Sequence, residues 1–431
     1  MSPKNSTTPM IEQYLRIKKE HQDSLLFFRL GDFYEMFYED AKVASPVLEI
    51  ALTSRQKVPM CGVPHHAVEV YLTKLLRHGF KVAICEQVED PKKAKGVVKR
   101  DVVKILTPGT AIELEREEEK ESTFVASLCF EDEMWGIALI DLASGLIKTA
   151  QSERESPLNL ADELYKIAPK EVIFPSSQEQ RVERVLGRDS VPALSKSPQE
   201  DWVFDFVQAK TLLLDHFQVK SLKGFGLSDK SYAVSAAGAL LHYLKKLRKD
   251  SLSLIHTISF IQTGEHLVLD TATIKNLELV KNLRDGRRTD SLLDVIDFTV
   301  TSMGGRLLKS WMLQPLRNCI EIDKRLDAVA EFIDKTIERT ELREALKEIY
   351  DLERLTGKIS LAVANARDLV SLKKSLHSLP RIGNLLQSFS SPKIGEVREN
   401  WDNAEDMVGL VENAVLEDPA FLLTEGGIIK E

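Results

Sequence analysis

The sequence is poor in cysteine and contains no long apolar run. The four cysteines among its 431 residues are Cys61, Cys85, Cys129 and Cys319, spaced too widely to suggest a disulfide framework. No stretch approaches the roughly 18 to 20 apolar residues that a membrane-spanning helix needs. The polar start, Met1 to Thr8, also lacks the apolar core of a secretory signal. These absences predict reduced thiols in a cytoplasmic protein without membrane contact.

The sequence also lacks nucleotide-binding and metal-binding signatures. No G-x-x-x-x-G-K-[ST] pattern occurs, and the run MGG at 303–305 resembles a phosphate loop only superficially. Cys61 with His65 and His66 has no second ligand pair at zinc spacing, so a buried thiol and packing histidines are the better interpretation. We therefore expect no catalytic residue, no cofactor and no metal in this chain.

The charge of the chain is unevenly distributed. The net charge is −8, yet the first 110 residues contain 17 Lys and Arg against 13 Asp and Glu, and the remainder 41 against 53. One short basic stretch is opposed only by Asp101. Its members are Lys92, Lys93, Lys95, Lys99, Arg100 and Lys104. Such a stretch can attract a polyanion through phosphate contacts, although a solvated surface is an equally good explanation.

Length and patterning predict several domains. Hydrophobic residues make up 43% and charged residues 29% of the chain, as in ordinary globular proteins. We expect an α/β domain with a mixed sheet over 1–112, an acidic linker over 113–122, a second α/β domain over 123–255 and an all-helical region over 256–431.

Periodicity predicts the elements of each region. For the first domain it predicts helices over 8–21 and 68–78 and strands over 25–30, 81–86 and 102–106. For the second domain it predicts strands over 124–130, 135–141, 145–150 and 171–174, a turn at 141–145, a helix over 158–167 and further helix to about 248. For the third region it predicts long helices over 276–284, 302–314, 320–348, 350–376 and 400–416.

The run GDFYEMFY at 31–38 is the most informative in the sequence. Asp32 can cap a helix, and Glu35 stands at the capping-box position three residues later. Phe33 would then project from the tip of this helix, while Phe37 anchors it one turn further on. The plainer alternative is a cluster of core aromatic residues behind an ordinary cap.

A family resemblance rests on that run and on five others. RLGDFYEMFYEDA (29–41) resembles the Phe-X-Glu signature of the MutS mismatch-repair family, with Phe33 and Glu35 in the matching places. The similarity continues in order along the chain. It covers VPMCGVPHHAVEVYLTKLL (58–76), KVAICEQVEDPKKAKGVVKRDVVKILTPGT (81–110), LDTATIKNLEL (269–279), TSMGGRLLKSWMLQPL (301–316) and DLERLTGKIS (351–360).

The resemblance implies a fold and a function. The three regions would be a mismatch-recognition domain, a ribonuclease-H-like connector and an incomplete helical core or lever domain. The partner would be double-stranded DNA with mismatches or small loops. Only the full-length family would bind ATP and magnesium, form a homodimer and bind a MutL-type partner. The clamp and ATPase domains would be absent here, in a chain from the bacterial cytoplasm, associated with the nucleoid.

The resemblance also implies site residues. Phe33 would enter the minor groove and stack on the mispaired base while the DNA kinks, and Glu35 would hydrogen-bond the displaced base. We expect the pKa of Glu35 to rise in the complex, because phosphates disfavour its charge. Arg55, Lys95 and Arg100 are the candidates for contacts to the DNA backbone.

Two alternatives remain open at the level of sequence. Asp141, at the end of a predicted strand of the ribonuclease-H-like domain, is compatible with a metal-dependent nuclease, although its turn explains it without chemistry. The chain could also fold but bind DNA weakly. In 400–416 an apolar stripe would lack its helical partner, so we expect it to be exposed and to favour self-association. The stripe comprises Met407, Val408, Leu410, Val411, Ala414 and Val415.

Overall fold

The structure, a computed structural model, describes residues 8–55, 57–89, 96–114, 120–152, 159–187, 194–247, 252, 254–261, 266–420 and 426–430. Two six-stranded mixed sheets with flanking helices are followed by a helical region. This confirms the predicted combination of α/β and helical parts. Within the described residues, none of the helices is long and apolar enough to cross a membrane.

The first sheet has the strand order β3-β4-β2-β1-β5-β6, with β1 and β5 parallel and the other pairs antiparallel. Its elements are α1 (Pro9–Glu20), β1 (Ser24–Leu30), β2 (Phe33–Phe37), α2 (Tyr38–Leu48), β3 (Thr53–Arg55), β4 (Val58–Pro64), α3 (Val68–Arg77), β5 (Lys81–Gln87) and β6 (Arg100–Leu106). The predicted strands β1, β5 and β6 and helices α1 and α3 are confirmed. The sequence interpretation missed β2, β3 and β4, and placed the start of the helix that becomes α2 at Phe33.

Both faces of this sheet are covered, because successive strand residues point to opposite sides. Phe28 and Phe37 pack with Tyr14 of α1 on one face. Phe27 and Tyr34 lie on the other face, in the cluster that contains apolar residues of α2 and α3. The residues of β2 therefore alternate between two cores, with Phe33, Glu35 and Phe37 on the α1 side.

The helix predicted to begin at Phe33 is wrong: residues 33–37 form strand β2, and the helix starts at Tyr38. The Asp32 and Glu35 spacing resembles a capping box. However, Gly31, with φ of +58°, and Asp32 form a two-residue hairpin connection instead. Strands β1 and β4 hydrogen-bond β2 on both sides, so long-range pairing overrides the local helical signal.

The second sheet has the strand order β11-β10-β7-β8-β9-β12, in which β8 runs antiparallel to its neighbours and the other pairs are parallel. Its elements are β7 (Phe124–Glu131), β8 (Met134–Asp141), β9 (Leu146–Gln151), α4 (Leu160–Ile167), β10 (Glu171–Pro175), α5 (Glu179–Leu186), β11 (Ser195–Gln199), α6 (Phe206–Phe217), α7 (Ser231–Leu247) and β12 (Thr257–Phe260).

The predicted strands β7 to β10, helix α4 and the turn at 141–145 are confirmed, with Gly145 N donating to Asp141 O at 3.2 Å. The interpretation of 175–248 as helix missed β11. Its sequence, SKSPQ, is polar and contains Pro198, which a strand tolerates because it lies at the edge of the sheet.

A buried carboxylate joins the two sheet units. Glu171, the first residue of β10, is fully buried and accepts hydrogen bonds from the hydroxyls of Thr107, Ser197 and Tyr243. Thr107 follows β6 of the first unit, whereas Ser197 and Tyr243 belong to the second. The ammonium of Lys81 lies 4.0 Å from the same carboxylate.

The helical region contains ten α-helices within residues 266–420. They are α8 (Thr271–Asn276), α9 (Leu292–Ile296), α10 (Ser302–Leu313), α11 (Cys319–Asp334), α12 (Thr336–Leu346), α13 (Leu352–Ser360), α14 (Ala366–His377), α15 (Leu379–Leu386), α16 (Pro392–Glu399) and α17 (Glu405–Ala414). The helix over 302–314 is confirmed. The helix predicted over 276–284 is wrong, and 320–348 and 350–376 each contain two helices.

Turn chemistry explains these differences. Residues 277–291 form turns around Asn282, whose amide donates to Thr289 O at 2.8 Å and accepts from Asp285 N at 2.9 Å. The break at 361–365 ends in Asn365, which caps α14 together with Asp368. Such side-chain bonds to the backbone compete with helix formation, although the apolar spacing alone favours a continuous helix.

The apolar stripe of 400–416 has a partner within the chain. Val411 and Val415 are buried in a cluster with Ala366 and Val370 of α14. Leu410 remains 63% exposed. The expectation of an unpartnered stripe is therefore wrong for its buried half.

Candidate nucleic-acid interface

The aromatic ring of Phe33 projects from the start of β2. The hairpin pairs Phe33 with Leu30 of β1, and on its other side Phe33 faces Pro64 of β4. The carbonyl of Asp32 accepts a hydrogen bond from His65 N at 2.9 Å, which ties the hairpin to the end of β4. Phe33 is 46% exposed, so this ring is available to a partner.

The opposite end of β2 is fixed in the core. Phe37 is fully buried, and its ring meets that of Tyr14 edge to face, with the ring centres 5.1 Å apart. The hydroxyl of Tyr14 accepts from Phe37 N at 3.3 Å and donates to Asp40 at 2.8 Å. Because β2 is anchored there and paired on both sides, Phe33 is carried by a rigid element.

Glu35 lies on the same face as Phe33, between Phe28 of β1 and Gly62 of β4. Gly62 has no side chain, and a Cβ placed there would lie 3.5 Å from Glu35 Cγ. The Glu35 side chain is 16% exposed. Its Oε2 atom is buried and has no hydrogen-bond partner among the described residues, which is rare for a carboxylate oxygen.

The positive charge of Arg55, on the edge strand β3, acts on the carboxylate of Glu35. Its guanidinium lies 3.6 Å from Glu35 Oε2, beyond hydrogen-bond distance, and its side chain is 55% exposed. Burial raises the pKa of Glu35 above its usual value, and the positive charge of Arg55 partly offsets that rise. Glu35 is thus poised to accept a hydrogen bond when ionised or to donate one when protonated.

The structure separates the remaining sequence candidates. Phe33, Glu35 and Arg55 share one face of the first sheet, whereas Arg100 is 6% exposed. Arg100 donates to Arg29 O at 2.6 Å and to Val98 O at 2.8 Å, and its guanidinium also stacks on a core ring. This placement corrects the expectation of a phosphate contact for Arg100. Lys95 lies outside the described residues.

Gly62 lies opposite Glu35, and the sequence interpretation did not single it out. It stands in the alternating run Met60 to Val63, which becomes β4 opposite β2. Alternation of this kind was the available signal for a strand, and a glycine within it indicates close approach of a neighbouring chain.

The weaker alternatives have ordinary structural explanations. Cys61 is buried, with its sulfur 3.6 Å from Ala41 O. Asp141 accepts from Ala143 N at 3.0 Å within its turn, and burial raises the pKa of its carboxyl. Across the parts of the chain that the structure describes, no three His, Cys, Asp or Glu residues come together as a metal site.

Comparison with known families agrees with this architecture. Residues 8–115 match the family model for MutS domain I, residues 123–256 that for MutS domain II and residues 272–431 that for MutS domain III. The chain therefore contains the first three domains of this architecture in order. It belongs to the MutS family.

Bacterial relatives match along nearly the whole chain. Identity to the DNA mismatch repair protein MutS of Alkaliphilus oremlandii is 42% over 436 residues, covering 98% of this chain and 49% of that protein. The protein of the same name from Lachnoclostridium phytofermentans is 44% identical over 434 residues, covering 98% of this chain and 46% of its own length. The chain thus spans about half the length of the curated relatives that it matches, and corresponds to their N-terminal portion.

Proposed function

We propose that this chain reads mismatched or unpaired duplex DNA in mismatch repair, with Phe33 and Glu35 as the reading residues. The observation that carries the proposal is an exposed ring beside a buried carboxylate oxygen on one face of one strand; among the described residues this oxygen has no hydrogen-bond partner and only an ion pair with Arg55 at 3.6 Å. Both become useful when a base stacks on Phe33 and brings a hydrogen-bonding edge to Glu35.

The ring of Phe33 acts as a wedge. Inserting an apolar side chain between base pairs in the minor groove kinks the duplex and costs a few kcal/mol of unstacking. A mispaired step is already partly unstacked and deforms more easily, so the same insertion costs less there. Discrimination then depends on deformability and not on base sequence, which suits a protein that must find any mispair.

Glu35 supplies the second means of distinguishing mismatched from matched DNA. A carboxylate near phosphates repels ordinary duplex DNA, and this penalty is offset only when a displaced base forms a hydrogen bond with it. Phosphates near Glu35 raise its pKa further in the complex, in the same direction as burial does in the free protein. Arg55 and Lys95 hold the DNA backbone beside the lesion.

The proposal extends to the organisation of the chain. The mismatch-recognition domain comprises 1–112 and the linker 113–122. The connector, predicted as 123–255, extends to Phe260, because β12 pairs with β9 of the second sheet; the core or lever domain, predicted from 256, follows β12. A ribonuclease-H-like connector is supported by the order β11-β10-β7-β8-β9 with only β8 reversed. A longer protein containing this chain would add ATP and magnesium binding, a homodimer and a MutL-type partner.

Loss of the wedge tests the proposal. Phe33→Ala should lower the preference for a G·T heteroduplex over the matched duplex by about 10-fold or more, because base–aromatic stacking contributes about 1–3 kcal/mol. Fluorescence anisotropy at fixed salt measures both affinities. Phe206→Ala is the matched control, since Phe206 is also exposed but lies in the second domain. Unchanged preference in Phe33→Ala would contradict the wedge.

Removing the negative charge of Glu35 tests its role in distinguishing mismatched from matched DNA. Glu35→Gln should tighten binding of the matched duplex more than binding of the heteroduplex, because it removes repulsion from phosphates. If matched-duplex binding did not tighten, the role given to Glu35 would be wrong. Arg55→Ala should weaken both duplexes alike and reduce the salt dependence by about one phosphate contact.

A further inference from the structure

Helix α11 has apolar residues on two faces. On its inner face, Ala328 and Phe332 pack in a cluster with residues of α12, α15 and α16. On its outer face, Leu326, Val329 and Ile333 follow at spacings of three and four residues, so they form one row along the helix. Each of these three residues is more than half exposed. Single exposed apolar residues are normal at a protein surface, but a continuous row is typical of a contact surface.

A row of carboxylates borders this apolar row on one side. Asp323, Asp327 and Asp334 are all exposed, and their spacings of four and seven residues place them along one edge of the outer face. None of the three carboxylates forms an ion pair or a hydrogen bond with another described residue. The outer face therefore offers an apolar row with an unpaired acidic edge to a partner.

The basic residues of α11, and Lys335 at its end, are already engaged elsewhere. Their partners are Glu321 at 2.8 Å and Glu396 at 2.9 Å for Lys324, the ring of Trp311 with its centre at 3.6 Å for Arg325, and Glu331 at 2.8 Å for Lys335. A second copy of this chain that presented its own α11 would bring no unpaired cation to the acidic edge. Charge complementarity therefore favours a different helix, one that carries Lys or Arg.

We propose that the outer face of α11 docks an amphipathic helix whose apolar row is bordered on one side by Lys or Arg. The two apolar rows pack together, and the basic border meets Asp323, Asp327 and Asp334. The curated relatives extend about as far again beyond the part that this chain matches. The docked helix belongs to that remaining part of a longer MutS-family protein.

Two designed helical peptides test the chemistry of the partner. They share a row of leucines and differ only in the residues that border it, which are lysines in one peptide and glutamates in the other. Fluorescence anisotropy with the 431-residue chain should show about 10-fold tighter binding of the lysine-bordered peptide, because three carboxylates each gain a weak charge pair. Equal affinities would overturn the charged part of the proposal, and no binding of the lysine-bordered peptide at about 1 mM would overturn all of it.

Substitutions in the apolar row locate the site. Val329→Asn should weaken binding of the lysine-bordered peptide by about 10-fold, because an apolar contact is lost from the middle of the row. Val329 is exposed, so the variant should fold normally. Val70→Asn is the matched control, since Val70 is an exposed valine of α3 in the first domain. Equal losses in the two variants would indicate unspecific adhesion and would contradict the site.

Substitution in the acidic edge separates charge from apolar contact. Asp327→Asn should weaken binding of the lysine-bordered peptide by about threefold and should leave the glutamate-bordered peptide no weaker. Asp215→Asn, at an exposed carboxylate of α6, is the control and should change neither affinity. If both variants weakened binding alike, the peptide would respond to the net charge of the chain and not to this edge.

Self-association is the competing use of this face. Sedimentation velocity of the unsubstituted chain and of Val329→Asn should give the same distribution of species, because the acidic edge of one copy finds no unpaired cation on α11 of another. A dimer of the unsubstituted chain that Val329→Asn dissociates would show that the face docks a second copy, and the proposal would be wrong.

The source of the docked helix has its own test. Overlapping peptides of about 20 residues, long enough as helices to cover α11, can span the part of the Alkaliphilus oremlandii protein that this chain does not match. At least one of them should bind the unsubstituted chain and bind Val329→Asn more weakly. If the designed lysine-bordered peptide bound and none of these peptides did, the helix would not come from the remaining part of the family protein.

Discussion

Glu35 in the first sheet and Glu171 in the second are both strand carboxylates removed from water, but their surroundings differ. Glu171 accepts three hydroxyl donors from two domains and has no solvent exposure. Glu35 has an oxygen with no hydrogen-bond partner among the described residues, beside an arginine that stays beyond bonding distance. Both oxygens of Glu171 accept hydrogen bonds within the fold, whereas the buried oxygen of Glu35 has only an ion pair with Arg55 at 3.6 Å.

This difference separates two uses of a buried charge. A carboxylate with all its acceptors occupied can hold two units together, because removing it leaves several donors unpaired. A carboxylate with a free acceptor destabilises the free protein, so its presence points to an external partner. The same residue type therefore indicates structure in one sheet and recognition in the other.

The largest expected effect follows from removing the satisfied carboxylate. Glu171→Ala should lower the free energy of unfolding by about 3 kcal/mol, because three buried hydroxyls lose their acceptor. Urea unfolding measures this. Glu133→Ala, at an exposed glutamate of the same domain, should change little. If Glu171→Ala had the same free energy of unfolding as the unsubstituted chain, the two glutamates would not differ in their contribution to stability as inferred here.

A smaller effect of opposite sign is expected at the other carboxylate. The pKa of Glu35 is raised in the folded chain, so its favourable contribution is present below the unfolded pKa of about 4.3 and is lost as pH rises through the folded value. Glu35→Gln should therefore raise the free energy of unfolding by about 1 kcal/mol at neutral pH. Below about pH 3 the gain should disappear, since the glutamate is then protonated in both states.

Urea unfolding of Glu35→Gln at several pH values checks this prediction. A loss of stability at neutral pH would mean that Glu35 has a structural partner like that of Glu171. The two carboxylates would then differ in position only.

The smallest effect concerns the charge beside Glu35. Arg55→Ala should raise the pKa of Glu35 further, because it removes the positive charge that opposes the effect of burial. The pH dependence of the Glu35 carboxyl ¹³C shift measures this. Lys42→Ala, which breaks an exposed ion pair of the same domain, is the control. If the pKa of Glu35 were unchanged in Arg55→Ala, burial alone would determine that pKa.

The sequence pointed to candidate residues but did not predict the secondary structure or the burial of each one. Phe33 and Glu35 were selected as candidates on a helix, with Phe33 at its tip and Glu35 at the capping-box position; the element is instead a strand, which puts both side chains on one face. Local spacing supports both interpretations, and only pairing with β1 and β4 decides between them. Arg100 is the clearest misplacement, since a basic run does not reveal that one member folds inward over Phe28.

The secondary-structure elements also divide into those that the sequence revealed and those that it did not. Strongly periodic segments such as α1, α10 and the strands β7 to β9 were recognised, because their apolar faces are encoded locally. The edge strand β11 was missed because its residues are polar and one is proline. The turns around Asn282 were missed because side-chain hydrogen bonds override the apolar spacing there.

The sequence by itself determined the family resemblance, the order of the three regions and the choice of Phe33 and Glu35 as candidate site residues, since these depend on residues close together in the chain. Only the tertiary structure decided that Gly62 lies opposite Glu35, that Arg55 approaches it and that Glu171 joins two domains. Burial and hydrogen-bond satisfaction depend on residues that are far apart in sequence. Strand register brings these residues together, and the sequence pattern alone does not fix that register.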